Sequence, residues 1–93
     1  MEPLNIKGLE FNKTCSACPE QYDVYDDNHN LVGYVRLRWG DITCEYPNVF
    51  GEVIYSASVS KDGLAGMFDS EGQRQYHLSA IADRIIEKIK TEE

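Results

Sequence analysis

The chain has 93 residues, 42% of them apolar and 27% charged, and its 16 acidic against 9 basic side chains give a formal net charge of −7. This length holds one domain with one core, and the composition is that of a chain that folds rather than one that stays disordered. An acidic surface repels nucleic acid and anionic lipid, no apolar run approaches the roughly 20 residues that cross a bilayer, and the first residues lack the basic-then-apolar layout of a secretory signal, so the expectation is a cytoplasmic protein with no membrane span and no general nucleic-acid binding.

In chain order, residues 1–7 are expected to fray and residues 8–12 offer an edge strand. Cys15-Ser16-Ala17-Cys18-Pro19 follows, and two thiolates three positions apart suit one zinc ion or a reversible disulfide. This is half a zinc motif, because a structural site takes four ligands. Cys44 is the third thiol, and His29 or His77 would have to complete the set without the usual short spacing. Plain loop thiols are the preferred reading, with zinc on Cys15, Cys18 and Cys44 as the alternative. A thioredoxin-like motif is disfavoured, since no suitable strand leads into it and no clear helix starts at Cys18. The odd cysteine count argues against a closed disulfide framework, leaving at most one bridge and one free thiol.

Residues 20–26 alternate tyrosine and valine with acids, and residues 31–39 place Leu31, Val35, Leu37 and Trp39 at odd positions, so both predict strands. Asp27-Asn28-His29-Asn30 between them is turn chemistry; Asn28-His29 at the tip pairs Tyr22 with Val35 and Val24 with Gly33. The next hairpin is read with Gly40-Asp41 as a type II′ turn. That register sets Trp39 opposite Ile42, Leu37 opposite Cys44 and Val35 opposite Tyr46, all inward, while Arg38 meets Thr43 and Arg36 meets Glu45 outside. Pro47-Asn48 stops the strand. Residues 52–59 predict another, with Val53, Tyr55, Ala57 and Val59 on one face.

Residues 60–72, carrying Lys61-Asp62-Gly63 and two further glycines, read as a loop. Ser70-Glu71-Gly72-Gln73 fits a capping box that opens a helix, along which Leu78, Ile81, Ala82, Ile85 and Ile89 form an apolar stripe. Arg84, Lys88 and Lys90 suit its C-terminal end, and Ile86 lies off the stripe. The fold class is therefore α+β: an antiparallel β-meander of about four strands with a C-terminal amphipathic helix packed on one face. Residues 1–93 make one domain, frayed again at 91–93.

Candidate binding residues are Tyr34, Arg36 and Arg38, which with Tyr25 and Thr43 form the polar face of the central strands. Arginine and tyrosine combine contact area with hydrogen bonding, as interface hot spots require. The preferred reading of this face is cross-strand pairing of Arg36 with Glu45 on a solvated sheet, with binding as its alternative. Met67 and Phe68, with Leu64, are the second candidates: apolar loop residues that either tuck under the helix as core, the preferred reading, or present a lip to a partner. His29 reads as a turn residue, His77 as a packed boundary residue, and the adjacent Asp26 and Asp27 as turn residues rather than a catalytic dyad.

The run from the first of these hairpins through the strand at 52–59, the glycine-rich loop and the helix is similar in order to the central part of GNAT acetyltransferases. That resemblance implies an acyl-CoA pyrophosphate held on loop amides at a helix start. The family's Arg/Gln-x-x-Gly-x-Gly/Ala loop would fall at Ser60-Lys61-Asp62-Gly63-Leu64-Ala65, with Ser60 where Arg or Gln belongs, and the family's N-terminal helices and C-terminal strands have no room. No catalytic constellation assembles elsewhere. The preferred reading is a small non-enzymatic interaction or regulatory module of the kind carried by bacteria or their phages, with another protein as partner and no cofactor. The alternatives are a small ligand-binding or acyl-transfer enzyme and a zinc-stabilised domain.

Overall fold

A computed structural model describes residues 3–14, 20–59, 68 and 70–92. They form strands β1 (Leu4–Ile6), β2 (Leu9–Lys13), β3 (Glu20–Tyr25), β4 (Leu31–Arg38), β5 (Asp41–Tyr46) and β6 (Glu52–Ser58), then helix α1 (Glu71–Glu92). The strands lie side by side in chain order, each antiparallel to the next. The α+β class and the meander hold, with six strands in place of four. β2 falls on the strand offered at residues 8–12, and β1 is new beside it, with Leu4 opposite Phe11 and Ile6 opposite Leu9. Three residues are too few for β1 to show an alternation.

The β3–β4 hairpin has the expected pairs, Tyr22 with Val35 and Val24 with Gly33. Its tip is built on Asp26, whose carboxylate accepts the backbone N–H groups of Asn28 and Asn30 at 3.0 and 2.8 Å. The His29 N–H donates to the Asp26 carbonyl and His29 takes a positive φ of 62°, which makes a three-residue loop closed by a left-handed residue.

The β4–β5 hairpin corrects the expected register. Arg38 pairs with Asp41, Leu37 with Ile42, Arg36 with Thr43 and Val35 with Cys44. The two-residue turn is Trp39-Gly40, both with positive φ (54° and 77°), so the turn is type I′ rather than II′. Pairing moves by two residues, an even number, so Val35, Leu37, Ile42 and Cys44 keep their inward face. Trp39 does not, and is 65% exposed at the tip. A second correction lies in β6. Ala57 opposes Ile42 and Tyr55 opposes Cys44 as core neighbours, but a bulge then sets Val53 opposite Glu45. Val53 is thereby turned outward and is 56% exposed.

α1 covers the inward face. The Ser70 hydroxyl accepts the Gln73 N–H at 3.1 Å, as an N-cap should, and the Gln73 amide donates to the Val59 carbonyl at 3.2 Å, tying the helix start to the end of β6. Leu78, Ile81, Ala82 and Ile85 are fully buried against Phe11, Val24, Leu37 and Ile42, and Ile86 and Ile89 widen the packed face. Lys7 reaches Asp83 at 2.7 Å and Lys88 reaches Glu52 at 2.8 Å, one strap on each side of the helix. No helix among the described residues is long and apolar enough to cross a membrane.

The Ile85 side chain of the helix presses on the sheet at Gly33, where a Cβ would lie 2.8 Å from the Ile85 Cδ1 atom. Gly33→Ala is expected to cost about 1 kcal/mol in urea unfolding through this overpacking. The same change made in an Ile85→Val background, which lacks that methyl, should cost almost nothing. Equal losses in both backgrounds would show that the approach is not the cause.

Candidate functional site

The face of the sheet opposite α1 carries the first-choice sequence residues. Alternation along β4 sends Tyr34, Arg36 and Arg38 to this face, away from Val35 and Leu37. Tyr34 lies between Asp23 of β3 and Glu45 of β5, and Arg36 between Gln21 and Thr43. The expected Arg36–Glu45 cross-strand pair is therefore absent, because Glu45 stands opposite Tyr34. Among the described residues no ion pair holds Arg36 or Arg38. The Arg38 guanidinium instead lies 5.9 Å from the centre of the Trp39 ring, within cation–π range. Trp39, expected in the core, thus extends the patch to Tyr34, Arg36, Arg38 and Trp39.

Phe68 leaves the candidate surface. It is buried, its ring is stacked on His77 with 5.9 Å between centroids, and the Arg74 guanidinium sits 5.7 Å from it. Met67, Cys15, Cys18 and the 60–65 loop of the GNAT-like alignment lie outside the described residues. Cys44 is a buried free thiol whose pKa is pushed up to about 12 by burial, the setting of an unreactive core cysteine. Among the described residues no group of three or more His, Cys, Asp or Glu side chains could hold a metal ion.

His77 is buried among Tyr55, Phe68 and Tyr76, with its Nδ1 atom 2.9 Å from the Tyr55 hydroxyl. Burial lowers its pKa and favours the neutral ring. His29 is an exposed turn residue stacked on Tyr25 at 4.4 Å. The Asp26 carboxylate is engaged within its own turn, and the Asn30 backbone N–H is the main cause of its lowered pKa, so no dyad with Asp27 forms.

Sequence reasoning missed a buried charge cluster under the opposite face. Glu20 shares the inward parity of Tyr22 and Val24, and its side chain is fully enclosed. Arg74 from α1 meets it with two hydrogen bonds, Nε to Oε2 at 2.7 Å and Nη2 to Oε1 at 3.1 Å, and the Tyr22 hydroxyl donates to the same carboxylate. Arg74 also contacts Glu71. The available signal was parity: an acid in step with the apolar residues of its strand.

Burial by itself would raise the Glu20 pKa, but the hydrogen bonds from Arg74 and Tyr22 outweigh it and hold the carboxyl below the ordinary range. Burial and the Glu20 charge together raise the pKa of Tyr22. These groups fasten helix to sheet. Comparisons with family models, curated proteins and solved structures return no match, so the geometry carries the functional reading alone.

Because the folded-state pKa of Glu20 lies below the unfolded one, its contribution to stability is complete above the ordinary value near 4.5 and is lost as pH falls through the folded value. Glu20→Gln should cost about 3 kcal/mol at neutral pH, towards the low end for a broken buried pair because Glu71 remains beside Arg74. It should also flatten the acid limb of the stability curve. Urea titrations at several pH values read both effects, and an acid limb equally steep in the variant would exclude Glu20 as its source.

Proposed function

We propose that this chain is a non-enzymatic binding module whose outer sheet face grips another protein. The supporting observation is the solvent-exposed indole of Trp39 beside two arginines that lack ion-pair partners among the described residues. Tryptophan, tyrosine and arginine dominate interface hot spots, because each brings a large contact area together with hydrogen-bonding or cationic character. Arg36 and Arg38 are presented two positions apart on one strand, and a guanidinium without an internal partner gains most from an incoming carboxylate.

Charge on the same face favours protein over nucleic acid. Asp23, Asp41 and Glu45 stand on the strands next to Tyr34, Arg36 and Arg38, so a continuous phosphate backbone would meet repulsion between its points of attraction. A protein surface of mixed charge with an apolar pocket for the indole meets no such conflict. The partner expected is a protein surface of mixed charge whose carboxylates meet Arg36 and Arg38 and whose cations meet Asp23, Asp41 and Glu45, engaged with Trp39 at one end and Tyr34 at the other.

Capture from cell lysate followed by mass spectrometry tests this reading with wild type and Arg36→Ala/Arg38→Ala side by side. Wild type should retain a defined partner, and the double variant should lose at least about tenfold of it, equivalent to roughly 1.4 kcal/mol. Trp39→Ala should weaken capture similarly. Stability should change by no more than about 0.5 kcal/mol, as for surface positions generally. Undiminished capture by the double variant rejects this face.

A further inference from the structure

The most exposed large apolar residue among those described lies at the far end of β5 from Trp39. Phe50, between β5 and β6, is 92% exposed, and Val49 and Val53 beside it are 41% and 56% exposed. Specific contacts hold the ring out. The Asn48 carbonyl accepts the Gly51 N–H at 3.0 Å, the Asn48 side-chain oxygen accepts the Val49 N–H at 2.7 Å, and the Phe50 N–H donates to the Glu45 carboxylate at 2.9 Å. A Cβ at position 51 would lie 2.2 Å from the Tyr46 carbonyl oxygen, so only glycine fits. Phe50 has a φ of 66°, which bulky residues adopt at a cost. This turn spends backbone strain to present a phenyl ring to solvent.

Immediately after the turn, the start of β6 and the last turns of α1 bound an open groove of about 370 Å³. Its lining includes Val53, Ile54, Arg84, Glu87 and Lys88. Lys88 is held by Glu52, whereas Arg84 is exposed and has no ion pair among the described residues. The same edge is an unfinished sheet. The Val59 N–H bond to the Gly40 carbonyl sets the alternation, so Ser56 and Ser58 direct their backbone groups away from β5.

A projecting ring and a recess thus adjoin each other on one edge of one molecule. A surface that carries both a projection and a recess can be self-complementary about a two-fold axis, the arrangement that closes a dimer. We propose that a second copy of this chain docks here, with Phe50 of each copy inserted against Val53, Ile54 and Arg84 of the other. The groove balances Arg84 and Lys88 against Glu52 and Glu87; with Lys88 bound to Glu52, Arg84 offers its guanidinium to the face of the incoming ring and to the Glu45 carboxylate that carries the Phe50 amide. The contact lies at the opposite end of β5 from the Trp39 patch and does not rest on the reading given to that patch.

Sedimentation velocity of the full chain over about 5 to 500 µM should show a reversible dimer. Phe50→Gly relieves the strained φ and removes the ring, so it should raise the urea midpoint of the dilute monomer while weakening dimerisation at least about tenfold. A ring with a merely structural role would move both readouts the same way. Phe50→Ser and Val53→Asp should each weaken self-association, and an equimolar mixture of the two should recover a heterodimer with one intact ring-and-groove contact. A wild type that stays monomeric throughout, a dimer indifferent to Phe50→Gly, or a mixture with no recovery overturns the proposal.

Discussion

Glu20 places a carboxylate in the inward face of the sheet, and the arrangement of the rest follows from the need to neutralise it. Arg74 is the cation that does so, from the first turns of α1. A helix rotated by one residue would leave Glu20 enclosed without its partner, a penalty of several kcal/mol. With Arg74 in place, Leu78, Ile81 and Ile85 follow at offsets of four, seven and eleven residues, which carries them along one side of the helix onto the apolar strands. The ion pair adds little net energy to a well-packed core. Its effect is to make one alignment of helix on sheet far better than its neighbours.

Once the helix is committed to one face, the other stays open, and the sheet's polar residues are free for recognition. β5 is the ruler of that surface. Its six residues span about 20 Å at the usual strand rise, with the Trp39 tip at one end and the Phe50 turn at the other. Both aromatics sit at positive φ, and both are held out by backbone geometry rather than left over from the core. The two aromatics therefore stand about one strand length apart, one beside the open face and one along the β6 edge.

The sequence disclosed faces more readily than register. Asp26 and the asparagines after it identify the β3–β4 turn because their side chains close it by hydrogen bonds that need no tertiary context. The β4–β5 turn misled because a bulky Trp39 in the left-handed region is locally unfavourable, which makes Gly40-Asp41 look the better tip. Tertiary pairing overrode that preference. The inward identities of Val35, Leu37, Ile42 and Cys44 survived because a shift of two preserves parity. Within the candidate patch, Tyr34, Arg36 and Arg38 were legible from alternation, and Trp39 was not. Phe50 gave no sign, since its exposure depends on contacts from Tyr46, Asn48 and Glu45 that only the folded turn assembles. Glu20 was hidden by its charge, which reads as solvent-facing unless parity is given precedence.

The meander order bears on how the molecule comes together. Every strand pairs with its neighbour in the chain, so the sheet can grow by short loop closures, which form quickly. The helix that covers the apolar face is encoded after all six strands. During synthesis, a chain that has emerged only as far as β6 exposes Phe11, Val24, Leu37 and Ile42 together with an unneutralised Glu20. That carboxylate, out of place in the finished core until Arg74 arrives, keeps the β3 end of the half-made sheet hydrated and so discourages its stacking on another nascent chain.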